Sequence, residues 1–392
     1  MEKTQYIAKT FAGLEDLLVK ELADLGAEKI EKLTRAVAFE GDMELLYRAN
    51  LSLRTALRII QPLLVHTKIR TANDLYEFAR SVNWLRWFNE QQTFAVHSVV
   101  EQAENFNNSM LVSLKVKDAI VDQFRQYKGD RPNIDKENPD ARIEVHLFRE
   151  RCTLSIDTSG EALYKRGYRE GGHKAPLNEI LAAALVLQSG WDGKTTLLDP
   201  MCGSGTILTE AAMIAHKIAP NLKRDAFAFK NFKNYDAALY DKVWLEEKGK
   251  ILSDIDAKII GFDINRSAII EARANVANAN VDESIRLSVG DFFEKMPPQE
   301  PGIIICNPPY GERITVSDEI VEFYKSMGDQ FKHNYQGWTA WVLSGNMEAA
   351  KNIGLKPTKK MQVFNGAIPC SYAKYEMYAG RKFTKSQEAR KQ

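Results

Sequence analysis

Apolar positions recur along this chain in two different rhythms, and the change between them falls near residue 178. In the first, short strand-like and helical segments alternate irregularly. "QYIAK" reads as a strand, and Leu14, Leu17, Leu18, Leu22 and Leu25 then mark one face of an amphipathic helix closed by Gly26. "RAVAFEG" follows, "TFAVHSVV" (93–100) reads as a strand, "SMLVSLKVKDAIVDQFRQY" (109–127) as a helix, and "RIEVHLFRERCTLSID" (142–157) as two strands. This half is predicted to be α+β. The charged, turn-rich stretch 127–142 reads as a loop inside it, and the better boundary is 159–179, where glycines and prolines interrupt all periodicity.

From Asn178 helices and short, continuously apolar strands alternate regularly: a helix over 178–189, "TTLLD", a helix from Ser204, "KIIGFD", a helix over 267–279, then "IRLSV" and "GIIIC". Strands that are apolar on both faces need cover on both sides, which predicts a parallel, doubly wound α/β domain. At 392 residues, two or three domains are expected.

Composition narrows the class. Hydrophobic content of 44% and charged content of 27% suit a globular protein, and 53 basic against 52 acidic residues leave no overall field for a polyanion. Any nucleic-acid contact must be local. Cys152, Cys202, Cys306 and Cys370 are scattered without a C-x-x-C pair, and the histidines show no ligand spacing, so neither disulfides nor a metal is expected. The start lacks the features of a secretory signal, and the longest apolar run, 180–187, is too short to span a bilayer. A soluble, cytoplasmic protein is predicted, with a frayed basic tail.

Candidate chemistry sits at the predicted strand ends. "LLDPMCGSGT" places Asp199 at the end of a strand and Gly203 and Gly205 in the turn before a helix. The G-K-[ST] of a P-loop is missing, and Leu208 stands where a dinucleotide fingerprint needs its third glycine. A neutral or cationic ligand is left, lying on glycine backbone beside Asp199. "GFDIN" puts Asp263 at the next strand end, suited to a ribose diol. "VGDFF" puts Asp291 at the third, where an adenine would lie. This series resembles the S-adenosylmethionine site of class I methyltransferases.

A fourth strand ends in "NPPYGER". Each proline restricts the residue before it to extended backbone, so Asn307 and Pro308 are held rigid, and their oxygens can act as two fixed acceptors. Such a pair can grip the hydrogens of an exocyclic amine and aim its lone pair at a methyl donor. Tyr310 offers a stacking face to a planar base. Asn307, Pro308, Pro309 and Tyr310 are the candidate catalytic set.

These stretches, with "LYKRGYRE" and "APLNE" upstream, resemble the bacterial large-subunit ribosomal RNA guanine-N2 methyltransferases of the RlmL type over almost the whole chain. The resemblance implies a ferredoxin-like segment (1–65), a THUMP RNA-binding domain (66–158), a linker (159–177), a Rossmann-like methyltransferase domain (178–382) and a basic tail (383–392). It implies S-adenosylmethionine held by Asp199, Pro200, Cys202, Gly203, Ser204, Gly205, Thr206, Asp263, Ile264, Asp291, Phe292 and Asn307, and a guanine of 23S rRNA as target. The best-known members carry a second methyltransferase domain after the first, and that second activity is not expected here. Transfer RNA, amino groups in DNA, protein glutamine, and a non-catalytic RNA-binding role remain as alternatives.

Two further stretches bear on the substrate. "YKRGYREGGHK" interleaves Tyr164 and Tyr168 with Lys165, Arg166, Arg169, His173 and Lys174, a pattern suited to RNA phosphates and stacked bases. In 221–250, Phe227, Phe229, Phe232 and Trp244 are expected to pack that insertion onto the methyltransferase domain, because exposed aromatic patches of such size are uncommon.

Overall fold

The computed structural model describes residues 3–169, 177–309 and 317–378. Tyr310, His173, Lys174 and the predicted basic tail lie outside the described residues. The chain divides into two compact units. Unit 1 comprises Met1–Phe11, Leu18–Lys165 and Pro220–Gly249; unit 2 comprises Ala12–Leu17, Arg166–Ala219 and Lys250–Gln392.

Unit 1 runs β1 (Thr4–Lys9), α1 (Glu15–Asp24), β2 (Glu28–Leu33), β3 (Ala36–Gly41), α2 (Met43–Ser52), β4 (Arg58–His66), α3 (Ala72–Arg80), β5 (Thr93–Glu101), α4 (Ser109–Lys128), β6 (Asn133–Ile134), β7 (Ala141–Phe148) and β8 (Arg151–Asp157). Its eight strands form one sheet in the order β2-β3-β1-β4-β8-β7-β5-β6. Local chemistry sets the helix ends. Thr71 and Asp74 cap α3 reciprocally, and α4 starts at the Asn108 side chain and stops at Gly129, whose φ of 73° is left-handed.

Unit 2 continues with α5 (Glu179–Ser189), β9 (Thr196–Asp199) and α6 (Thr206–Ala215); the chain then contributes α7 (Ala237–Gly249) to unit 1 before returning through β10 (Ile259–Asp263), α8 (Arg266–Asn278), β11 (Ile285–Val289), β12 (Gly302–Cys306), α9 (Asp318–Asn334), β13 (Thr339–Ser344), β14 (Lys359–Asn365) and β15 (Ile368–Glu376). The sheet order is β11-β10-β9-β12-β13-β15-β14. The first five pair in parallel, as the apolar strands predict, while β15 and β14 are antiparallel and close one edge. Helices cover both faces. Tyr324, Met327 and Phe331 of α9 pack on Ile304, Cys306 and Val342, and on the opposite face Tyr372 of β15 donates a hydrogen bond to Leu185 O of α5. The apolar run 180–187 is thus a buried helix, and among the described residues no helix is long and apolar enough to cross a membrane.

The insertion packs elsewhere than expected. Phe227, Phe229, Phe232, Tyr240 and Val243 belong to the hydrophobic core of unit 1, with Tyr47 and Phe229 rings 4.7 Å apart and Trp244 packed at the margin. Asn221 donates its backbone N–H to Leu51 O, and Arg48 of α2 pairs with Glu246 and Glu247 of α7. The aromatic clustering was correctly read as packing, but its partner is the N-terminal unit, a choice no local pattern encodes.

Candidate functional site

The order β11-β10-β9-β12-β13 reverses direction between β9 and β12, which opens a crevice at the carboxyl edge of the sheet. Register deepens it. Gly261 of β10 pairs with Asp199 and Ile304 of β12 with Leu198, so Asp263 and Asn307 both stand two residues above the end of β9. At about 5 Å per strand they flank a gap of about 10 Å. A cavity of about 640 Å³ fills this space, and its walls include Asp199, Pro200, Cys202, Gly203, Ser204, Thr206, Asp263, Ile264, Asp291, Phe292, Asn307 and Pro309. All of these were named from sequence.

The glycine loop is fixed from below and behind. Gly203 N–H donates to Asp263 Oδ2 at 2.9 Å, Cys202 N–H to Phe262 O at 3.1 Å, and the buried Asn275 side chain to Ser204 O at 2.9 Å. Gly203 has a φ of 52°, and a Cβ built there would meet nothing within 4 Å, so this backbone is open to a ligand. Gly205 serves a different purpose from the one expected. It is not a cavity wall; at a φ of 77° it starts α6, and an added Cβ would stand 3.1 Å from Ala272 Cβ.

Three carboxylates line the cavity with different environments. Asp199 is buried, and burial, with the Asp263 charge adding to it, pushes its pKa up to about 8 against one backbone hydrogen bond from Met201. Among the described residues no cation pairs with it. Asp263 accepts from Gly203 and Asn265, and Asp291 from the Phe293 backbone N–H. Beside Asp263, Ile264 is 71% exposed, an apolar surface left uncovered inside the cavity. Burial raises the thiols of Cys202 and Cys306 well above their usual range, so both behave as packing residues.

The proline corner contributes Asn307 and Pro309 to the cavity, while Pro308 is buried and is not one of its walls. Sequence reasoning missed other walls, notably Phe293 and Phe323, whose rings meet edge to face at 5.5 Å. The doubled phenylalanine of "VGDFF" was the available signal: Phe292 turns inward onto Phe331 and Tyr335, and Phe293 stays 38% exposed, while Gln330 donates to both carbonyls. Phe323 comes from α9, and no local pattern aims it at this crevice.

Of the stretch 164–174 expected to face RNA, Arg166, Tyr168 and Arg169 turn to protein partners. Arg166 is enclosed, its Nε 2.8 Å from Glu210 Oε1 of α6, and the buried Tyr168 donates its hydroxyl to the same carboxylate at 3.1 Å. Arg169 donates to Thr206 Oγ1 at 2.6 Å and to Leu177 O, and stands 3.3 Å from Glu179. These side chains brace α6 from behind, where charge is sheltered by opposite charge rather than by phosphate. Lys165 is exposed and paired with Glu161.

Comparison with known proteins accords with this geometry. The methyltransferase domain described as RMKL-like matches residues 166–374, a THUMP domain matches 70–157, and the RlmL ferredoxin-like domain matches 5–60. The protein slr0064 of Synechocystis sp., provisionally named an RNA methyltransferase, is 37% identical over 95% of this chain and 97% of its own length. The ribosomal RNA large subunit methyltransferase K/L of Photobacterium profundum is 40% identical over 96% of this chain, which spans 53% of that relative. The crystal structure of SMU.472, provisionally described as a methyltransferase and complexed with SAH, superposes with a TM-score of 0.87 at 29% identity, covering 97% of this chain and all of that one.

Proposed function

This chain belongs to the RMKL-like methyltransferase family, and from that premise we propose that it is an S-adenosylmethionine-dependent RNA methyltransferase acting on the exocyclic N2 amine of a guanine in 23S rRNA. The observation that carries the reading is the opening of Asn307 and Pro309 into the same cavity as Asp199, Asp263 and Asp291.

The donor set fits the cofactor. Three carboxylates, one of them buried without a cation among the described residues, suit a ligand bearing an ammonium and a sulfonium. Asp263 stands where a strand-end carboxylate can accept from a ribose diol, Ile264 offers an apolar surface to an adenine, and the open Gly203 backbone admits close approach. When bound, S-adenosylmethionine supplies an electrophilic methyl group.

The chain's own residues act on the acceptor. A guanine N2 amine is a poor nucleophile because its lone pair is delocalised into the ring. Asn307, held extended before Pro308, accepts a hydrogen bond from that amine through its side-chain oxygen, favouring a tetrahedral nitrogen with its lone pair directed into the cavity. The fixed amide dipole stabilises positive charge as it grows on nitrogen. No strong base is required, since the amine proton becomes acidic only after transfer. Phe293 and Phe323 give the crevice an aromatic wall. The THUMP-containing unit 1 supplies the RNA grip.

Incubation with labelled S-adenosylmethionine and protein-free rRNA, followed by digestion to nucleosides, is expected to yield N2-methylguanosine. Label in N6-methyladenosine, or transfer confined to DNA or to a glutamine peptide, would replace the proposed acceptor with another amine suited to the same corner.

A further inference from the structure

A second cavity lies over the antiparallel side of the same sheet. It occupies about 210 Å³ beside β13, β15 and β14, and its walls include Ser344, Leu355, Pro357, Lys360, Ser371 and Tyr375. Register places it. Cys306, Val342, Ala373 and Lys360 form one row across β12, β13, β15 and β14, and Ser344 opposite Ser371 forms the row two residues closer to the ligand edge. Ser371 therefore stands level with Pro308 and two strands away, about 10 Å.

Its chemistry is unlike that of a packing defect. Ser371 is only 5% exposed, lines the cavity, and its hydroxyl has no hydrogen-bond partner among the described residues. A hydroxyl that lines a cavity without a protein partner is available to a group that enters from outside. Ser344 is already committed, bonded to Tyr324 and to Asn346. At the rim the two lysines differ. Lys351 is bound by Glu348 at 2.7 Å, while Lys360 is exposed and has no ion pair among the described residues. Leu355, Pro357 and the buried Tyr375 complete a partly apolar wall. The set combines a partly apolar wall, one hydroxyl without a partner among the described residues and one exposed cation likewise without an ion pair among them, chemistry that suits a nucleotide.

We propose that this cavity receives a nucleotide flanking the target in the same RNA, with its base against Leu355 and Pro357, Ser371 hydrogen-bonded to it, and Lys360 on its phosphate. Extruding a base from its neighbours costs a few kcal/mol, and a seat for the neighbouring nucleotide offsets that cost only for RNA presenting the right flank. The cavity would thus contribute specificity rather than chemistry. The inference rests on the RNA-methyltransferase reading above.

The test uses the full chain, protein-free rRNA and labelled S-adenosylmethionine, with Lys360→Glu at the rim and Ser371→Leu filling the seat. Both variants are expected to raise KM for RNA by about tenfold or more, the scale of one lost hydrogen bond to a charged group, with kcat and cofactor affinity within twofold of the parent. In the parent, photocrosslinking of rRNA containing 4-thiouridine is expected to label peptides within 355–375. A parent that methylates RNA while Lys360→Glu keeps the parental KM and crosslinks fall elsewhere overturns this inference alone. A parent that transfers no methyl group to any RNA overturns the functional reading and this inference with it.

Discussion

Asn307 and Asp199 occupy the same cavity and are expected to fail in different ways when altered. In the proposed function Asn307 holds the acceptor amine, so Asn307→Ala should lower kcat by about a hundredfold or more, the scale of losing one preorganised polar contact. Cofactor affinity by calorimetry should stay within twofold. In the same proposal Asp199 faces the cofactor, and its burial is costly to the empty protein. Its carboxyl is raised from 3.8 to about 8 in the fold, so its contribution to stability is fully present below pH 4 and is lost as pH rises toward 8. Asp199→Asn should therefore raise the melting temperature of the cofactor-free protein at pH 8 and flatten its pH dependence, as scanning fluorimetry would show. A cationic ligand favours the ionised carboxylate. Parental affinity for S-adenosylmethionine should climb with pH below 8, approaching about tenfold per unit, with a proton released on binding.

At the scale of elements, the approach of helices to strands depends on small residues and buried charge. Gly261 sits where α6 crosses β10, and a Cβ there would fall 2.2 Å from Leu208 Cδ1 and 3.3 Å from Cys202 Sγ. Gly261→Ala is expected to cost about 1–3 kcal/mol by overpacking, read in urea unfolding, and to weaken cofactor binding by displacing the loop. Behind α6, Arg166 and Glu210 have fully enclosed side chains. Arg166→Met should cost about 3–5 kcal/mol, because it removes the charge opposing a buried carboxylate. RNA affinity of the folded fraction should be unchanged. An RNA-contacting arginine would give the reverse result, intact stability with weakened and less salt-dependent binding.

For the molecule as a whole, 220–249 leaves the sequence of one unit to complete the core of the other. A fragment ending at residue 165 lacks Phe227, Phe229, Phe232, Tyr240 and Val243 and is expected to lose fixed side-chain packing, visible as collapse of its near-ultraviolet dichroism. Phe229→Ala in the full chain should destabilise unit 1 by about 3–5 kcal/mol. The calorimetric transition that shifts should be the one insensitive to S-adenosylmethionine.

The sequence by itself determined which strand ends share one crevice. Apolar strands, turn glycines and the proline corner are local signals, and strands of a parallel sheet necessarily deliver their ends to one side, so Asp199, Asp263, Asp291 and Asn307 could be grouped from order alone. Local signals also misled. A basic, aromatic stretch reads identically whether it faces phosphate or a buried glutamate, and Arg166 and Tyr168 were placed only when Glu210 arrived beside them from α6. The same holds for Phe229 meeting Tyr47, and for Phe323 reaching the crevice from α9. Burial is a property of pairs distant in sequence, so tertiary structure alone decided which charges are sheltered, which aromatics form the core of which unit, and which hydroxyl is left facing a cavity.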